Sequence, residues 1–268
     1  PDSNSQTFEY KDLGITINAR LNTDLDQLRQ NVSTNIKRGH EQVWPHKEQD
    51  TIIALVGGGP TLLETLDELR ESQKQGSKVI ALANTAHVLM EHGIKPSACV
   101  LLDGRPNNVN FIVDELDCPY FVASQCDTAV FDTLASLGRK LYNWPAVNND
   151  EEVEAIHEQY DKWIPIQGGP TIMLRGFRLF AVLGYHRFDV FGFDSCAIDD
   201  LHHAYEQPMA DEENTVKIGC NGKDFNVRAV DIQQAMEFMK VVKVFGQNWQ
   251  MRVHGEGLIE HLIRTGAQ

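Results

Sequence analysis

The run Ile52-Ile53-Ala54-Leu55-Val56-Gly57-Gly58-Gly59-Pro60-Thr61 limits what this chain can fold into more than any other segment. Its apolar half reads as a buried strand, and Pro60 followed by Leu62, Leu63, Leu66 and Leu69 reads as a helix with one apolar face. A strand that empties through three glycines into a helix start gathers backbone N–H groups into a nest, where the peptide dipoles favour an anion. Turning alone does not need three glycines in a row. The expectation is a phosphate-binding turn made by Gly57, Gly58, Gly59, Pro60 and Thr61, set against the plainer account of a tight turn without ligand.

Two familiar explanations of such a turn fail. No Lys-Ser/Thr pair follows it, as a P-loop requires, and Leu62 stands where a dinucleotide fingerprint has its third glycine. The next apolar run ends in Ala83-Asn84, where an NAD site places an acidic residue for the ribose. A nicotinamide enzyme is therefore disfavoured.

From Thr51 onward apolar runs alternate with helical patterns. Strands are expected near 51–56, 78–83, 98–103, 119–123, 139–144 and 187–193, with helices between most of them. That order predicts an α/β fold, a doubly wound and mostly parallel sheet with helices on both faces. A hairpin turning at Asn221-Gly222 and helices near 229–245 and 256–264, around a short strand at 251–253, form a C-terminal addition. Residues 1–22 show no sustained period, 22–39 read as a polar helix, and Trp44-Pro45 lie in a linker, so residues 1–50 are expected as an N-terminal helical extension and 51–268 as the main domain.

Composition removes several function classes. The formal net charge of −14 leaves no excess of lysine and arginine for displacing counterions, so nucleic acid is not an expected partner. No segment approaches the roughly 20 apolar residues that span a bilayer, and the start Pro-Asp-Ser-Asn-Ser-Gln lacks the regions of a signal peptide. The 5 cysteines are scattered, with no zinc or redox spacing. The setting expected is reducing and cytoplasmic.

In an open α/β sheet the carboxyl ends of the strands face one crevice. Asn84 and Thr85 end one expected strand, while Asp103, Gly104 and Arg105 end another, so an amide, a carboxylate and a guanidinium are candidates to converge there. Asp103 suits a magnesium ion and Arg105 suits phosphate oxygens; helix capping is the bland alternative for Asp103. A second turn, Gln167-Gly168-Gly169-Pro170-Thr171, repeats the chemistry of the first and points to a ligand with two polar ends, unless it is only a proline-started helix. Asp194 follows a further strand, and Asp199, Asp200, His202 and His203 share the loop after it. Their spacing matches no zinc motif, which leaves a solvated loop or a general acid or base. No Gly-x-Ser-x-Gly elbow is present, and Cys126 and Cys196 read as ordinary small residues.

These segments together resemble the 6-hydroxymethylpterin diphosphokinase MptE-like family, which also includes motility accessory factors tied to flagellin glycosylation. The likeness is carried by residues 56–62, 83–86, 93–96 leading to Leu102-Asp103, 168–171, 192–194 and 253–258, and so spans about residues 50–260. It implies a Rossmann-like domain that binds a nucleotide. Its diphosphokinase members move diphosphate from ATP to a hydroxymethylpterin with magnesium, and other members are similar to sialyltransferase-type enzymes. One departure is visible: Ser124-Gln125-Cys126-Asp127 stands where the diphosphokinases have His-Gly-Asp-Asn.

The leading expectation is a magnesium-assisted transferase that uses a nucleotide or nucleotide-activated donor, ATP or a nucleotide sugar, and an unidentified acceptor. Gly57, Gly58, Gly59 and Thr61 would hold phosphates, Asp103 the metal, Arg105 the developing charge, and Thr171 and Asp194 the acceptor. Glycosyl transfer, with a base from the 194–203 loop, and a nucleotide-binding module without chemistry are the alternatives.

Overall fold

The computed structural model describes residues 23–160, 162–169, 171–205 and 215–266, with the backbone alone of 5–10 and 15–20. In chain order the strands are β1 Ser5–Tyr10, β2 Ile15–Arg20, β3 Glu41–Gln42, β4 Ile53–Val56, β5 Lys78–Leu82, β6 Ala98–Leu101, β7 Tyr120–Ala123, β8 Leu141–Trp144, β9 Ala146–Val147, β10 Ile166–Gln167, β11 Arg187–Phe191, β12 Val216–Cys220, β13 Lys223–Val227 and β14 Gln250–Val253. The helices are α1 Leu25–Ile36, α2 Leu66–Lys74, α3 Thr85–Glu91, α4 Thr128–Ser136, α5 Asp150–Gln159, α6 Ile172–Val182, α7 Ala229–Phe245 and α8 Leu258–Thr265.

One sheet organises the molecule. Its 8 strands run in the order β14-β11-β4-β5-β6-β7-β8-β3, and all of its pairings are parallel. Every residue of β4, β6 and β7 is buried, which happens only when both faces of a sheet are covered. Helix α6 packs across β4, β5 and β6, with Gly176 facing Leu55 and Leu82. The chain winds outward from β4 to β8 and then returns to the other side of β4 as β11. This makes β4 and β11 the topological switch point, where ligands of open α/β sheets bind.

The helix expected directly after the glycines begins instead as a 3-10 turn, Pro60–Thr65, before α2. Its tighter winding puts Leu62, Leu66 and Leu69 inside and leaves Leu63 43% exposed, so the four leucines do not share one face. The N-terminal segment also differs from a purely helical extension. β1 and β2 form an antiparallel hairpin of two six-residue strands, too few repeats for a period to show in the sequence. β3 joins the edge of the large sheet beside β8, and α1 rests on α4.

Asp24 caps α1 by accepting from the N–H groups of Asp26 (2.9 Å) and Gln27 (3.3 Å). Two buried asparagines then tie the helix to the sheet. Asn35 donates to the carbonyls of Ser124 (2.9 Å) and Cys126 (2.8 Å), and Asn31 to that of Gln125 (3.0 Å). Helix α1 thereby covers the carboxyl ends of β6 and β7. Between these strands Cys99 and Cys118 bring their sulfurs to 3.8 Å.

The expected hairpin at Asn221-Gly222 is present as β12 and β13. Both turn residues have positive φ, 43° and 83°, as a type I′ turn demands. No helix among the described residues is long and apolar enough to cross a membrane.

Candidate functional site

At the switch point the backbones of β4 and β11 all but touch. Gly57 N–H donates to the Phe191 carbonyl (2.9 Å), and Gly59 N–H to that of Gly192 (2.8 Å). A Cβ on either Gly57 or Gly59 would fall 2.7 Å from the Gly192 oxygen, inside contact distance. Gly58 faces the other way, toward the ring of Tyr205, whose Oη would lie 2.5 Å from a Cβ placed there. The three glycines therefore serve two close approaches, one to a neighbouring backbone and one to an aromatic side chain.

Asp194 fills the start of the helical segment. Only 2% exposed, it accepts from the Thr61 N–H (3.1 Å) and the Thr61 hydroxyl (2.7 Å). Burial pushes its carboxyl above the usual range, the two bonds from Thr61 pull it back, and Glu64 adds to the rise. A side chain of the chain itself thus occupies the helix start, the place where a bound anion would otherwise sit. The Gly57, Gly59 and Thr61 N–H groups, expected to face a phosphate, donate instead to protein acceptors. Gly257 closes over Asp194, where a Cβ would meet the Asp194 Cα at 2.5 Å.

In front of this turn opens a cleft of about 210 Å³. Asn84, Thr85 and Tyr205 line it, with the Tyr205 hydroxyl donating to Asn84 Oδ1 at 2.8 Å. Thr171, the residue before α6, contributes a buried hydroxyl without a hydrogen-bond partner. Ser195, His202, His203, Arg228, Asp231 and Gln234 complete the polar lining. There Ser195 donates to Gln234 Oε1 (2.9 Å), and Arg228 grips Asp231 through Nε (3.1 Å) and Nη2 (3.0 Å). Burial and the neighbouring Arg228 lower the pKa of His203, against a smaller upward pull from the Gly58 carbonyl, so the ring is held toward its neutral form.

The residues singled out in the sequence divide into two groups. Gly57, Gly58, Gly59, Pro60, Asn84, Thr85, Thr171 and Asp194 all line this cleft, while Thr61, Asp103, Arg105, Gly168 and Gly169 do not. Gly168 lies against the backbone of Arg175, where a Cβ would meet the Arg175 Cα at 2.8 Å, and Gly169 takes φ +76°. These two glycines shape the approach to α6. Pro170 lies outside the described residues.

Asp103 and Arg105 stand apart from the cleft, at a strand end covered by α1. Leu28 of α1 crowds Gly104, and Gln125 donates to the Leu102 carbonyl at 2.9 Å. Asp103 spends both oxygens on Arg105, Oδ1 on its N–H (2.9 Å) and Oδ2 on its guanidinium (Nε, 2.8 Å). No group of three or more metal-ligating side chains occurs among the described residues. With both carboxylate oxygens turned to Arg105, Asp103 by itself is a poor magnesium ligand.

Arg228, Asp231 and Gln234 escaped the sequence reading, as did Tyr205. The first three sit on and before α7, beyond a hairpin, in a segment whose pattern signals only a helix. One local signal was available: Arg228 N–H donates to Asp231 (2.9 Å) across a helix start, and that i, i+3 pairing of polar residues marks a cap. Cys126 and Cys196 are buried in the core, and burial raises both thiols, Cys196 to about 11, as suits small packing residues.

Fold and cleft together define a Rossmann-like, doubly wound α/β protein with its candidate site at the topological switch point. More narrowly, the chain belongs to the family described as 6-hydroxymethylpterin diphosphokinase MptE-like, whose pattern it matches over residues 25–200. Among solved structures it is similar to the MAf glycosyltransferase from Magnetospirillum magneticum AMB-1, with a TM-score of 0.66 and 16% identity over 88% of this chain. The chain spans 37% of the length of that protein. No curated protein sequence matches it significantly.

Proposed function

We propose that this chain is a transferase that seats a nucleotide-activated donor in the switch-point cleft and moves its activated group to an acceptor hydroxyl, with glycosyl transfer from a nucleotide sugar as the specific reaction. The observation that carries this reading is the mixed chemistry of the cleft lining. Hydroxyl and amide groups from Asn84, Thr85, Thr171 and Tyr205 suit ribose, base and phosphate oxygens, and two imidazoles and a buried carboxylate line the same cleft. Such positioning without a protein nucleophile suits direct transfer. Family membership and the glycosyltransferase named above support the class of reaction.

Diphosphoryl transfer from ATP is the second reading, supported by the family description. It needs countercharge for a triphosphate, and Arg228, already paired with Asp231, is the one arginine or lysine lining the cleft among the described residues. Magnesium dependence would then require ligands other than Asp103.

A thermal-shift panel decides between them. ATP, CTP, UTP, their monophosphates and several nucleotide sugars are each tested with and without magnesium. A ligand at a hundred times its Kd adds about 2.7 kcal/mol to stability, a rise of about 5 °C for a chain of this size. Cytidine or uridine compounds are expected to give the largest rise. A preference for ATP with magnesium would favour the second reading, and indifference to every compound would sink both.

A further inference from the structure

We propose that Cys99 and Cys118 are a redox pair: a peroxide oxidises Cys118, and Cys99 resolves it into a disulfide that staples β6 to the entrance of β7. Cys99 is the second residue of β6 and pairs in register with Tyr120, the first of β7. Its N–H donates to the Pro119 carbonyl at 3.1 Å, which fixes the backbone one residue beyond Cys118. The two sulfurs stand 3.8 Å apart, and both thiols are free. Cys118 belongs to the connection before β7, outside the ladder, so it can close the remaining distance without parting the strands.

Two differences between the thiols set their roles. Cys99 is fully buried, whereas Cys118 keeps 7% of its surface exposed, so a small oxidant meets Cys118 first. The contact with Cys99 lowers the pKa of Cys118, burial opposes this, and Lys95 and Arg139 lower it further against Asp117. Arg139 is held at this turn by the Asp117 carboxylate (3.4 Å) and the Asp114 carbonyl. The same sulfur contact and burial raise the Cys99 thiol well above the usual range. Thiolates attack oxidants, so Cys118 reacts first while Cys99 keeps its proton for the second step.

In the first step the Cys118 thiolate bonds to one oxygen of hydrogen peroxide, the O–O bond breaks and hydroxide leaves, making Cys118 a sulfenic acid. In the second the Cys99 sulfur bonds to that sulfur, and its proton departs with the displaced hydroxide as water. Two thiols give up two electrons, and the peroxide is reduced to two waters. The cysteines lie 19 positions apart, and the loop they close holds Asp103, Arg105 and the 3-10 turn Pro106–Phe111. A covalent link across it removes freedom from the unfolded chain. The link sits toward the amino ends of β6 and β7, whereas the cleft is lined from the carboxyl ends of β4, β5 and β11. Oxidation therefore stiffens the sheet without entering the site.

The test exposes the reduced full chain to hydrogen peroxide and maps its peptides by mass spectrometry without reduction. Peptides joined through Cys99 and Cys118 are expected, with a melting temperature higher by about 5 °C, both reversed by dithiothreitol. In Cys99→Ala, dimedone should trap a sulfenic acid on Cys118, and in Cys118→Ala, Cys99 should stay reduced at the same peroxide dose. A map that leaves both cysteines free, or joins either to Cys126, Cys196 or Cys220, overturns the pair. A linked protein that melts no later than the reduced one overturns the staple, and a sulfenic acid on Cys99 in Cys118→Ala overturns the order of reaction. The wild-type map decides the pairing even where a variant fails to fold.

Discussion

Replacing the three glycines one at a time by alanine separates what the structure says each is for. At Gly57 the new Cβ would stand 2.7 Å from the Gly192 carbonyl oxygen, against an ordinary contact of 3.4 Å or more. Both atoms belong to backbones locked in the β4–β11 ladder, so the strands themselves must part. Forcing a methyl into such a place costs about 1–3 kcal/mol. At Gly58 the Cβ would meet the Tyr205 Oη at 2.5 Å and its Cζ at 3.0 Å, atoms at the far end of a side chain that can swing away. The loss there is the Tyr205–Asn84 hydrogen bond, about 0.5–1.5 kcal/mol. Urea unfolding at equilibrium should therefore rank Gly57→Ala as clearly the less stable variant. Nucleotide-induced shifts in melting temperature should fall most in Gly58→Ala, because the displaced ring forms a wall of the cleft. Equal destabilisation by the two substitutions, or a Gly58→Ala protein that responds to nucleotides as the wild type does, would refute the division of labour among the glycines.

Further outcomes follow from individual contacts. Thr171→Val removes a buried hydroxyl without a protein partner, so the melting temperature of the free protein should stay within about 1 °C while affinity for the preferred nucleotide falls by about tenfold, measured by calorimetry. Asp194→Ala strands the buried N–H and hydroxyl of Thr61 and should cost about 2–4 kcal/mol in urea unfolding, whereas Asp194→Asn should cost much less. Because burial raises the Asp194 carboxyl, its neutral form is the one the fold favours. Its contribution is full below the unfolded pKa and is lost as pH rises through the folded one, so Asp194→Asn should gain relative to wild type between acid and neutral pH. Asp189 has the opposite sign: burial raises its carboxyl, but the nearby His254 imidazole and bonds from Arg252 and Ser72 outweigh that and hold it well below the usual range. Its stabilisation is present above the unfolded pKa and lost as pH falls, and Asp189→Asn should flatten the acid limb of the unfolding profile.

The sheet was legible because its strands are buried on both faces. Runs such as Ile53–Val56 and Tyr120–Ala123 are apolar throughout, and a parallel α/β sheet is the architecture that buries them so completely. The very short strands β3, β9 and β10, two residues each, carry no periodicity to read. Nor does α5, which buries none of its residues. At the site, glycines and strand-end polar residues were visible because their positions follow from the topology. Asp103 and Arg105 obeyed the same rule yet fell outside the cleft, since nothing local announces that Asn31 and Asn35 will dock α1 over those strand ends. Arg228 and Asp231 posed the converse problem. Their place in the cleft with Thr171 depends on how the chain packs after the hairpin, which is tertiary information.

The clasp of Gly257 on Asp194 has a bearing on how the molecule is made. Residues that meet there and at Thr61 are distributed along most of the chain, and such distant pairings close late in folding. During synthesis the glycine turn leaves the ribosome before β5 to β8, which can stack beside β4 while the opposite flank of that strand stays open. That flank is an unpaired, wholly apolar edge until β11 arrives, and Asp194 gains its cover only when α8 follows. The nascent chain thus carries an open apolar edge at the very place that will become the cleft, and α8 seals it.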